Sequence, residues 1–344
     1  MMENDISNAM IYRNLGNTGL RVSALGLGTK VTFGKQISDE MAEKIVTLAY
    51  NKGVNFFETS EAYGNGAAER TLGKILKNKN WRRSSYVIST RLSRSGDAVT
   101  EQGISRKRLV EGLRGSLDRL QLEYVDIIIV TRQPDTHIPI EDVVRTCTHL
   151  IELGWAFYWG TCKWTPAEIM QAQSVARQFN LIPAAVEQTG FHIFQRERLQ
   201  QMQEMCVKLS LSDLAVSQPS CNLWVSWHLA IERMLQLNDL KGLQCHPKGH
   251  QALLEHILSP KGRMHQTQVR QLCKLASRLH CTCAQLAIAW CLKTPTLSCV
   301  LLGAATVDQL QENLEAIQVQ TRINFTVQSE IERILSTDSS DGFL

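Results

Sequence analysis

Residues 126–130 read Asp-Ile-Ile-Ile-Val. A run that is apolar at every position after its first cannot sit half-exposed. It suits a central strand of a parallel sheet, covered on both faces. Shorter runs of this kind recur along the chain, and a segment of helical period follows most of them. Val54 to Phe57 leads into a helix from Ala67 to Leu76, and Tyr86 to Thr90 into a helix from Ser105 to Leu120 with Leu109, Leu113, Leu117 and Leu120 on one face. After Val125 to Val130 comes a helix over Ile140 to Leu153. Next are Ala156 to Tyr158 and a helix opened by Thr165-Pro166-Ala167-Glu168, a capping box with proline at the first helical position.

Upstream, Tyr12 to Leu15 and Leu20 to Val22 flank Gly16-Asn17-Thr18-Gly19, which is hairpin chemistry. Ala24 to Leu27 reads as the first buried strand, ending at Gly28-Thr29. A helix then runs from Ser38 to Asn51, with Gly53 as its stop. Downstream, the pattern predicts a strand at Ala184 to Glu187, a helix around Leu199 to Leu209 and a weak strand near Leu214. An irregular stretch from Ser217 to Gly249 interrupts it. Periodicity returns over Val269 to Leu279 and Leu286 to Leu292, before a strand at Ser298 to Leu302 and a helix capped by Thr306 and Gln309.

Eight strands alternating with helices, with no linker rich in Pro, Gly or Ser, predict one (β/α)8 barrel over residues 11–336 with short tails at 1–10 and 337–344. The competing doubly wound fold would show G-x-G-x-x-G after its first strand. Here Gly26-Leu27-Gly28 lacks both the third glycine and a helix start. A net charge of +4, with no basic run longer than three residues, gives no footprint for nucleic acid. The apolar runs are too short to cross a bilayer, and the first ten residues lack a signal core, so a cytosolic protein is expected. The ten scattered cysteines then read as free thiols. Cys281-Thr282-Cys283 beside His280 invites a metal reading, but Thr282 and Gln285 fit a capping box that sends the two thiols apart, and no metal is expected.

In a barrel, chemistry collects at the carboxyl ends of the strands. The predicted ends offer Gly28 and Thr29; Glu58 with Tyr63 beyond; Arg91; Thr131; Cys162 and Lys163; Gln188; Ser217; and Gly303. An acid, a phenol and a guanidinium on neighbouring strands form the layout of a carbonyl reductase. In it the cation favours ionised tyrosine and the acid fixes the cation.

The segments NLGNTGLRVSALGLGT, FFETSEAYGNGAAE, SLDRLQLEYVDI, YWGTCKW, VARQFNLIP, FQRE, QLAIAWCL and VLLGA together resemble the aldo-keto reductases. More narrowly, they resemble the cytoplasmic beta subunits of voltage-gated potassium channels, a branch of that superfamily. The resemblance runs from about Tyr12 to Leu335 and lapses between Gln200 and Gly249. It implies a barrel that binds NADP(H) without a Rossmann motif. It also implies a homo- or hetero-tetramer of beta subunits docked under the cytoplasmic assembly domain of channel alpha subunits, altering gating or trafficking at the inner face of the plasma membrane.

The same resemblance places Tyr63 on the proton-donating tyrosine, Glu58 on an aspartate, Arg91 on a lysine and Thr131 on the asparagine of the channel branch. Glu is longer by one methylene, and Arg is expected to grip it in a bidentate pair instead of standing beside the phenol. Turnover is therefore expected to be weak or absent. Thr29, Gln36, Gln188, Gly303, Gln309, Glu312 and Asn313 match cofactor contacts. Lys30 stands for a tryptophan, Cys162 and Lys163 for a Ser-Arg pair, and Ala305 for a serine. A Trp-Ser-Pro-Leu turn after the seventh strand reads Val216-Ser217-Gln218-Pro219, followed by Ser220 and Cys221. Trp227 and Gln244 fall where basic residues for a 2′-phosphate are expected, with Lys241 or Lys248 as substitutes. Gln188, Gln309 and Asn313 also admit a plainer role, bridging backbone at a polar barrel mouth. Three functions stand side by side at this point: a channel beta-type subunit, an NADPH-dependent aldehyde or ketone reductase, and a diverged copy with neither activity.

Overall fold

Two apolar cores, one inside the other, follow from the alternation of side chains along the strands. Phe56, Val87, Ile127, Ile129, Val186, Cys299 and Leu301 point inward and pack on one another. Their strand neighbours Phe57, Ile88, Ile128, Val130 and Val300 point outward into a larger cluster with the helices. A strand buried on both faces needs no polar side, which is why residues 126–130 read as they do. Each fully buried side chain of this size contributes about 1.5–3 kcal/mol.

The structure, a computed structural model, describes residues 10–30, 32–34, 36–93, 98–132, 138–194, 196, 212–216 and 259–336. An antiparallel hairpin, β1 (Tyr12–Asn14) and β2 (Arg21–Ser23), precedes the barrel. The barrel strands are β3 (Leu25–Gly28), β4 (Phe56–Ser60), β5 (Val87–Leu92), β6 (Ile127–Thr131), β7 (Tyr158–Cys162), β8 (Val186–Gly190), β9 (Ser212–Val216) and β10 (Leu297–Leu302). They pair in parallel in the order β10-β3-β4-β5-β6-β7-β8-β9, and β9 pairs with β10 to close the ring. The helices among the described residues are α1 (Asp39–Asn51), α2 (Ala67–Lys79), α3 (Arg106–Leu120), α4 (Ile140–Glu152), α5 (Pro166–Gln178), α6 (Pro260–Arg278), α7 (Cys283–Leu292), α8 (Val307–Leu314), α9 (Ala316–Gln320) and α10 (Phe325–Ser336).

The hairpin closes the amino-terminal end of the barrel. Leu15 and Val22 enter the inner core. Arg13 donates to the carbonyls of Leu297 and Leu292 at 2.7 and 2.6 Å, and Asn55 Nδ2 donates to the Arg21 carbonyl at 3.0 Å. Capping signals behave as the sequence predicts. Thr165 and Glu168 form a reciprocal box with Pro166 in the first turn, and Thr282 and Gln285 form another at the start of α7.

Most strands run past their predicted ends, and three do so by three or more residues. β4, β7 and β8 extend to Ser60, Cys162 and Gly190, beyond the predicted ends at Phe57, Tyr158 and Glu187. Polar residues such as Thr59, Thr161 and Thr189 are buried inside the strands. Helix α6 begins at Pro260, nine residues before Val269 where the periodicity resumes, with Ser259 as its N-cap. The predicted helix at Leu199 to Leu209 and the irregular stretch at Ser217 to Gly249 lie outside the described residues.

Candidate active site

Glu58 is the centre of the barrel mouth. It lies in the middle of β4, not at its end, and it is only 2% exposed. Its side chain points inward because it follows Phe56 by two residues. Gly28 on β3 leaves the room that the longer acid needs, since a Cβ there would lie 3.3 Å from Glu58 Oε2. The Tyr63 hydroxyl and Gln188 Nε2 both donate to Glu58 Oε1 at 2.9 Å. Desolvation raises the Glu58 pKa above the ordinary carboxylate range, while Arg91 and these two donors pull it back.

The loop between β4 and α2 returns Tyr63 to the mouth. Gly64, Asn65 and Gly66 have φ of 60°, 55° and 78°, a left-handed run in which two glycines carry no Cβ penalty. Two contacts of Glu61, one buried and one partly buried, fix this loop. Arg108 of α3 binds Glu61, and Glu61 Oε1 also accepts the Ser93 N–H at 2.9 Å. Nothing in the local sequence pattern pairs Arg108 with Glu61, which lie 47 positions apart. The signal of a buried arginine is Arg108 and Gly112 interrupting the leucine face of α3, because a Cβ at residue 112 would lie 2.1 Å from Arg108 Nη1.

Arg91 ends the inward row of β5, in register with Ser60. The expected bidentate pair with Glu58 is not formed, as no oxygen of that acid comes within 4.0 Å of an Arg91 nitrogen. The guanidinium carbon instead sits 5.1 Å from the centre of the Tyr63 ring, and Nη1 lies 3.9 Å from Cys162 Sγ. Glu58 already receives the phenol and the amide on one oxygen, and the ring face offers the cation its alternative. The result is a neutral phenol. Burial first, then the Glu58 charge, holds the Tyr63 pKa well above its usual value, and Arg91 opposes both.

Thr131 and Cys162 are register partners on β6 and β7, and both face the mouth. Burial raises the thiol of Cys162, with Arg91 acting in the opposite sense. Lys163 follows at a left-handed φ of 64°, an unusual conformation for lysine, and its N–H donates to Glu187 Oε1 at 3.1 Å. Thr29 turns outward, its hydroxyl 3.0 Å from that of Thr59, so Lys30 comes next at the rim.

The remaining predicted cofactor residues divide. Gln188 is 1% exposed, and its Oε1 has no hydrogen-bond donor among the described residues. Gln309 Oε1 accepts the Ala305 N–H at 2.9 Å, and Asn313 Nδ2 donates to the Gly303 carbonyl at 3.5 Å, so both side chains contact backbone. Glu312 offers its carbonyl to Gln285 Nε2 at 3.0 Å, and Gln36 is exposed on the turn before α1. Val216 ends β9. Ser217, Gln218, Pro219, Ser220 and Cys221, with Trp227, Gln244, Lys241 and Lys248, lie outside the described residues.

The barrel thus brings Glu58, Tyr63, Arg91, Thr131 and Gln188 to one mouth. A profile of the Aldo/keto reductase family matches residues 24–334, which spans every barrel strand from β3 to β10. On that match the chain belongs to the Aldo/keto reductase family.

Proposed function

We propose that this chain is a beta-type auxiliary subunit of a voltage-gated potassium channel, built on a reductase barrel whose own turnover is slow. The observation that carries the second half is the hydrogen bond from Tyr63 to Glu58. A phenol that serves a carbonyl must direct its proton outward and yield it readily. Here the proton is directed at a buried carboxylate, and the environment makes the phenol a weaker acid. The channel half is supported by the sequence segments that resemble that branch, from Asn14–Thr29 through Val300–Ala304. Among the described residues, no helix is long and apolar enough to cross a membrane. In this reading the chain reaches the inner face of the plasma membrane through a tetramer of beta subunits under the channel.

A nicotinamide cofactor fits the inner part of this mouth. The buried, unmatched Oε1 of Gln188 suits the N–H of a carboxamide, and Thr131 and Cys162 border the same space. When bound, such a cofactor supplies a hydride. Tyr63 keeps the proton at its hydroxyl, and Arg91 keeps a positive charge over the ring.

The convergence of Glu58, Tyr63 and Arg91 also favours a second reading, an enzyme reducing aldehydes or ketones at a modest rate. Two experiments separate the readings. Co-purification with a channel's cytoplasmic assembly domain, with tetramers by light scattering, is expected of the subunit, and a monomer without channel affinity would overturn it. An aldehyde-dependent loss of NADPH absorbance at about 340 nm, abolished by Tyr63→Phe, is expected of the enzyme.

A further inference from the structure

Three cations surround the carbonyl-handling groups of the mouth, one from each of three alternate strands. Lys30 follows the end of β3, Arg91 lies in β5, and Lys163 follows β7. Only Glu58 answers them from inside the barrel among the described residues. Glu187 is turned to the backbone N–H of Lys163, while Glu61 and Glu69 are matched by Arg108 and Arg119. Among the described residues Arg91 has no carboxylate partner, and its Nε is buried without an acceptor. A buried donor left unmatched carries a desolvation penalty that an anionic oxygen would relieve.

We infer that this mouth holds the carboxylate of a short-chain 2-oxo acid, with Lys30, Arg91 and Lys163 supplying the positive charge. This inference rests on reading the mouth as a carbonyl-binding reductase site. The chain length follows from Arg91, whose guanidinium touches both the Tyr63 ring and Cys162. An anion on that guanidinium is adjacent to any carbonyl facing Tyr63, so the two groups of the ligand must be neighbours. The backbone of Lys163 is held left-handed at the strand end, its N–H on Glu187, a conformation that persists only where its surroundings enforce it. Partial loss of water, then the like charge of Arg91, lowers the pKa of Lys30, as expected for cations gathered around an unfilled anion position.

The test compares pyruvate with pyruvamide, its neutral counterpart, by calorimetric titration of the full chain at fixed ionic strength. Pyruvate is expected to bind at least about tenfold more tightly, and Lys30→Met with Lys163→Met to remove most of that difference. Equal affinity for the two ligands, or an unchanged preference in the double variant, would overturn the inference. So would inorganic phosphate binding as well as pyruvate, which would mark a general anion site. NADPH binding and channel-domain capture, measured on the same preparations, report the proposed function separately. Pyruvate binding without NADPH binding would overturn the reductase reading and with it the assignment of a substrate.

Discussion

The hydroxyl of Tyr63 donates to Oε1 of Glu58 across 2.9 Å, inside a barrel mouth where both groups are almost wholly buried. One methylene decides this contact. A carboxylate on the shorter aspartate side chain would withdraw from the phenol, and Tyr63 would be free to face a substrate. The length of Glu58 therefore sets the Tyr63 proton against a buried acid and away from the open mouth.

Glu58→Asp combined with Arg91→Lys is expected to raise carbonyl reduction by about tenfold to a hundredfold over the unmodified chain. The first change releases the phenol, and the second exchanges a planar cation over the ring for a compact ammonium. Steady-state oxidation of NADPH with a simple aldehyde measures it. No gain in the double variant would place the block elsewhere.

Tyr63→Phe is expected to destabilise the fold by about 1–2 kcal/mol, because Glu58 loses one of its two donors while remaining buried. Urea denaturation followed by tryptophan fluorescence measures the loss. The adjacent variant Gln188→Leu removes the other donor and should cost a similar amount.

The raised pKa of Glu58 fixes the sign of a pH effect. Its folded state binds a proton more tightly than its unfolded state. The resulting stabilisation is fully present below the ordinary carboxylate range and is lost as pH rises through the folded pKa. Glu58→Gln should remove that loss, so the variant gains on the unmodified chain as the pH increases from about 4 toward neutrality. Denaturation midpoints across this range report it, and parallel pH profiles would contradict it.

Arg108→Ala strands the Glu61 carboxylate in the loop that carries Tyr63, and a loss of roughly 3–5 kcal/mol is expected. Arg108→Met with Glu61→Gln should recover most of it, since both charges then leave together. Thermal denaturation of the two variants distinguishes a stranded charge from lost packing.

The architecture was legible because its signals are local. The fully apolar strand at Ile127 to Val130, the capping boxes at Thr165 and Thr282, and the hairpin glycines each specify their own element. The ends of β4, β7 and β8 were not, because Thr59, Thr161 and Thr189 read as loop residues until the ring supplies neighbours that bury them. The site shows the same division. The residues that converge could be named from the order of strands, but Arg91 choosing the Tyr63 ring over Glu58 depends on Gln188, 130 positions from that acid. No pairwise reading of charges contains that competition.

Leu15 and Val22 stopper the hairpin end of the packed barrel, so among the described residues the doorway to Tyr63 is at the opposite rim. Whatever enters to meet Tyr63 must leave over the same rim, past Lys30 and Lys163. A protein seated on the hairpin side would leave that doorway open. One covering the loops beyond the strands would hold captive whatever lay inside.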